Sequence, residues 1–111
     1  MGETNKSGLF LEELGGKGEA LIFMHGLGGS TNSWYPQAQV LKRDLRLVAY
    51  DLAGSGRSPV RDGISIASHV ADLLGVVRQA SPEGRVHLVG HSLGAIICQH
   101  VAAAHPELVA S

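Results

Sequence analysis

Cysteine is nearly absent: Cys98 stands alone in 111 residues, so no disulfide forms within the chain and nothing points to an oxidising compartment. A cytoplasmic location is the expectation that follows. An excess of charge of one sign is lacking too. Nine basic and ten acidic residues leave a net charge of -1 and no basic tract for phosphate backbones or anionic lipid, which argues against a nucleic-acid partner. No apolar run is long enough to span a bilayer, and residues 1–10 lack the apolar centre of a secretory signal. Membrane insertion is not expected. Internal repeats and low-complexity segments are also missing.

What is present is a 44% apolar composition, enough for one modest core and for one domain or part of one. Residues 1–7 read as a flexible leader. Residues 9–14 follow as a first strand ending in the glycine turn 15–18, and 20–24 are continuously apolar, as a strand buried on both faces requires. That run stops abruptly at His25-Gly26-Leu27-Gly28-Gly29-Ser30. Ser33 is placed to cap a short helix over 34–42, with Pro36 in its first turn. A second buried strand, 45–50, runs into the glycine-rich loop 51–59, and 66–80 form an amphipathic helix. Residues 86–89 make a further apolar strand, and an Ala-rich helix over 95–104 stops at Pro106. Alternation of this kind predicts an α/β fold, a mostly parallel sheet with helices on both faces and functional loops at the carboxyl ends of the strands.

Between the last strand and the last helix stands Gly90-His91-Ser92-Leu93-Gly94. A serine hydroxyl is a weak nucleophile, so an enzyme using one must expose its oxygen, supply a base and place N–H donors where negative charge develops. Glycines on either side let the strand fold back sharply into a helix, which holds Ser92 at the apex of a strained turn. Leu93 then offers its N–H at the start of the helix.

Three segments, His25 to Gly29, Asp51 to Ser58 and Gly90 to Gly94, resemble the α/β-hydrolase superfamily in content, order and separation. The resemblance implies a partial α/β-hydrolase fold ending after the helix that follows the nucleophile turn, with 8–111 as the N-terminal part of a single domain. It also implies that Ser92 is the catalytic nucleophile, and that the backbone N–H groups of Leu27 and Leu93 form the oxyanion hole. Trp34-Tyr35-Pro36-Gln37 is most similar to small cytoplasmic members such as the 3-oxoadipate enol-lactonases and the cofactor-free haloperoxidases. A small ester, lactone or related carbonyl compound is the implied substrate, with no cofactor.

A triad on this fold needs an acid and then a histidine later in the chain than the serine. After Ser92 come only His100, His105 and Glu107, and His105 lies roughly 20 Å along the helix. The acid and base are therefore expected beyond Ser111, leaving residues 1–111 alone inactive. Other histidines offer no substitute. Alternation at a strand end points His91 away from Ser92; His25 is expected to brace its loop, and His87 to be a hydrogen-bonded core residue. His69 and His100 lack partners at metal-ligand spacing, so no metal site is indicated. Asp51 reads as a loop anchor, Cys98 as core packing, and Trp34 either lines the acyl pocket or fills core.

Two rival readings follow. Dinucleotide binding fails because Thr31 and Pro59 stand where the third glycine of each loop is needed. A catalytically silent module that dimerises or binds a partner remains the alternative, and the apolar strand 86–89, with no further strand to cover it, predicts self-association through an open sheet edge.

Overall fold

The computed structural model describes residues 2–111. Its apolar runs become the middle of a five-stranded mixed sheet ordered β1-β2-β4-β3-β5, formed by β1 (Gly2–Thr4), β2 (Phe10–Gly15), β3 (Ala20–Met24), β4 (Arg46–Tyr50) and β5 (His87–Gly90). β3 pairs in parallel with β4 on one side and β5 on the other, whereas β1–β2 and β2–β4 are antiparallel. Every residue of β3 is buried, because it has a neighbour on both edges and helices on both faces.

Side-chain alternation along β3 and β4 divides the core. Leu21, Phe23, Leu47 and Ala49 pack with Ala38 of α1 (Tyr35–Leu41). Ile22, Met24, Val48 and Tyr50 face the other way, against Leu73, Val76 and Val77 of α2 (Ile66–Ala80) and Ile97 and Val101 of α3 (Leu93–Ala104). The α/β expectation holds, with two antiparallel pairings making the sheet mixed. Among the described residues no helix is long and apolar enough to cross a membrane.

Three details differ from the sequence reading. Gly2–Thr4, expected in a flexible leader, instead pair with β2. The Asn5 side chain accepts the N–H groups of Ser7 and Leu9, and Gly8 at φ 85° closes the turn, so a short hairpin returns the chain onto an otherwise bare edge. Ser33 does not cap the first helix. A 3-10 turn, Thr31–Trp34, precedes α1, with Ser30 as its N-cap and Ser33 reciprocating from the third position.

The third concerns β5, which is half-buried throughout rather than central. Its expected open edge is partly occupied. Val86 N–H donates to Leu108 C=O, Ala110 N–H to Val86 C=O and Leu88 N–H to Ser111 C=O, at 2.9, 2.8 and 2.9 Å, in a parallel bridge. The edge expected to be open is therefore covered over that stretch. His87 is half-buried at the same edge, not in the core, and bonds the Ser111 hydroxyl at 2.7 Å.

Candidate active site

The carboxyl ends of β3, β4 and β5 bring three loops together, and each is built by a different local device. At the end of β5 the chain reverses into α3 through Ser92, which has φ 55° and ψ -118° and is the only non-glycine residue at positive φ among those described. An L-residue adopts this conformation only when its surroundings over-determine it. Here they do: a Cβ on Gly90 would lie 2.6 Å from the Ala95 nitrogen, and one on Gly94 would lie 2.3 Å from the Met24 carbonyl oxygen. Side chains are thus excluded two residues before and two residues after the serine.

Ser92 is exposed and opens α3 without its side chain capping the helix. Leu93 is the first helical residue, where an N–H has no intrahelical acceptor, and the helix dipole adds positive potential at that end. The first turn of α3 holds no acidic residue to offset it.

The loop after β3 approaches this turn closely. A Cβ on Gly26 would lie 2.9 Å from the Ser92 Cβ and 3.1 Å from His91 Nδ1. Leu27, the next residue, is 82% exposed, so its apolar side chain projects outward while its backbone stays beside the glycine facing Ser92. The loop is held by His25. That ring is buried, accepts the Leu52 N–H at Nε2 (3.0 Å), and therefore carries its proton on Nδ1, which donates to Gly26 C=O at 2.6 Å. One imidazole ties the β3 loop to the β4 loop, the bracing role expected for it.

Asp51 anchors the β4 loop. Its buried carboxylate accepts the N–H of Thr31 at 2.7 Å and of Arg57 at 2.8 Å, and its carbonyl accepts the Ser58 hydroxyl. A Cβ on Gly56 would lie 2.3 Å from the Asp51 carboxylate, so glycine is needed for the loop to wrap it. Ser58 also accepts the Phe10 N–H, joining the loop to β2.

Beside Ser92 lies a cleft of about 450 Å³ lined by His25 to Gly29, Ser33, Trp34, Gln37 and His91. Trp34 meets both of its alternatives: its ring stacks on Phe23 at 4.9 Å and 20°, and it forms part of the cleft wall. His91 departs from the expectation. Strand alternation ends at Gly90, and the elbow swings His91 to flank Gly26 beside Ser92 rather than away from it. Gln37 was not singled out by sequence, although its position three residues after Trp34 puts both on one helical face.

The remaining candidates lie elsewhere. His105 follows the far end of α3 and approaches Glu107 at 3.5 Å. Cys98 is half-buried with its Sγ 3.5 Å from the Met24 sulfur, and burial pushes its thiol pKa up to about 11. His69 is buried on α2 with Nδ1 lacking a partner among the described residues, and burial lowers its pKa. Among the described residues, no three His, Cys, Asp or Glu side chains gather as a metal site would need.

This arrangement of sheet, glycine-flanked serine and two upstream loops defines the class, and a family model described as the alpha/beta hydrolase fold matches residues 19–111. The chain belongs to the α/β-hydrolase family. It is 40% identical over 97 residues to a protein of Variovorax paradoxus (strain S110) named carbamate hydrolase RutD, covering 85% of this chain and 36% of that protein. Among solved structures it resembles E-2-(acetamidomethylene)succinate hydrolase, with a TM-score of 0.90 and 29% identity over 98% of this chain and 41% of the other. Epoxide hydrolase VrEH1 from Vigna radiata is similar at a TM-score of 0.88 and 29% identity, covering 98% of this chain and 37% of that one. The chain thus spans little more than a third of such relatives.

Proposed function

We propose that the protein to which these residues belong is a serine hydrolase that cleaves a small ester, lactone or related carbonyl substrate through an acyl-enzyme on Ser92. The observation that carries this reading is the strained, exposed conformation of Ser92 at the N-terminus of α3, packed against Gly26 of the neighbouring loop. Strain of that kind is retained where function selects it. In the proposed mechanism Ser92 Oγ attacks the carbonyl carbon while its proton passes to a histidine base. The carbonyl oxygen, now negative, is held by the N–H groups of Leu27 and Leu93. Collapse of the tetrahedral intermediate expels the alcohol, which takes the proton back, and water then releases the acid.

The acid and histidine of the triad come, on this reading, from sequence outside residues 1–111. The relatives are more than twice as long as this chain, which gives ample room for them. No cofactor is required. Incubating the complete protein with a chromogenic short-chain ester tests the proposal: a burst of alcohol, an acyl mass adduct on Ser92, and loss of both in Ser92→Ala are expected. A folded enzyme that turns the ester over equally well as Ser92→Ala would refute it.

A second reading applies to residues 1–111 alone. His105, which follows Ser92 in the chain, lies past the far end of α3, and this favours a catalytically silent module when the segment stands by itself. Ester turnover by the purified 111-residue chain, abolished by Ser92→Ala, would overturn that reading.

A further inference from the structure

The cleft beside Ser92 has a chemical bias that the reaction itself does not require. Among the described residues that line it, none is Asp or Glu. The neighbouring carboxylate, Asp51, is buried and directed to the N–H groups of Thr31 and Arg57, and Glu12 accepts the Tyr35 hydroxyl outside the cleft. Donors, by contrast, collect there. His91 and Gln37 are both exposed and line the cleft, and each side chain carries an N–H donor. Leu27 supplies an exposed apolar rim.

A wall that offers N–H donors and carries no negative charge accommodates an oxygen acceptor, a carboxylate included, without repulsion. A purely alkyl acyl group would strip water from these donors and leave them unpaired. We propose that this cleft receives a second acceptor group, a carboxylate or carboxamide carried by the acyl half of the substrate, and that His91 and Gln37 recognise it. The inference rests on the acyl-enzyme reading of Ser92 and adds to it the class of substrate.

Three esters of matched shape test it on the complete protein: monoethyl glutarate, ethyl 5-amino-5-oxopentanoate and ethyl 5-methylhexanoate, with ethanol release as the readout. The two acceptor-bearing esters are expected to exceed the alkyl isostere in kcat/KM by at least about tenfold. Gln37→Leu and His91→Leu should each lower that ratio severalfold, chiefly through KM. Gln37 is exposed on α1, so its variant leaves the core intact. Equal turnover of all three esters, or a preference that survives both substitutions, overturns the inference and leaves the acyl-enzyme standing. Absence of turnover with every ester, together with a Ser92 that fails to react with a fluorophosphonate, overturns the acyl-enzyme reading and this inference with it.

Discussion

Gly26 and Ser92 occupy one another's space: a methyl group on the glycine would lie 2.9 Å from the serine Cβ, closer than side chains approach. The relationship explains how two loops far apart in sequence form a single site. Only a residue without a side chain lets the β3 loop come this close to the turn that carries Ser92.

Gly26→Ala should therefore separate activity from stability. The loop must retreat to admit the methyl group, and if the Leu27 N–H is the oxyanion donor we propose, its misplacement costs about 10²-fold in kcat. Fluorophosphonate labelling rates, compared with urea unfolding of the same variant, measure the two effects independently. Labelling should slow far more than stability falls.

Gly94→Ala should act through the fold instead. Its methyl group would meet two backbone oxygens, Met24 at 2.3 Å and His25 at 2.7 Å, neither of which can rotate away. A loss of at least about 2 kcal/mol is expected from overpacking at this site. Urea denaturation of the variant measures it, and a midpoint equal to wild type would contradict the packing account.

Gly75→Ala should go the other way. Gly75 lies inside α2, and a Cβ there meets nothing within 4 Å, so the substitution relieves backbone entropy at no steric cost. The expected gain is about 0.5–1 kcal/mol, visible as a higher melting temperature.

His69 makes stability depend on pH. Burial lowers its folded pKa below the ordinary value of 6.5, so the unfolded chain binds the proton more readily than the folded one. The stability from keeping this ring neutral is complete above pH 6.5 and declines as pH falls through that value toward the folded pKa. Urea midpoints at pH 7.5 and pH 5.5 should differ more in wild type than in His69→Gln.

The legibility of the fold varied with the physics behind each element. β3, β4 and α2 were readable because burial on both faces, or on one, writes itself into apolar periodicity. β1 was not, since Gly2, Glu3 and Thr4 are all exposed and their pairing comes from the edge that β2 offers. The half-buried state of β5 and its cover by residues 108–111 likewise depend on strand order, which no single run of residues encodes. At the site, Ser92 and the two glycine loops stood out as motifs. The place of His91 against Gly26 is set by the turn after Gly90, which strand alternation does not describe. Gln37 required the shape of the cleft to be noticed.

Fluorophosphonate labelling of the complete protein, followed by peptide mapping, puts the greatest weight on a single atom. The account predicts one adduct, on the Ser92 oxygen, lost in Ser92→Ala. A folded protein that stays unlabelled, or carries the adduct on another residue, would contradict it.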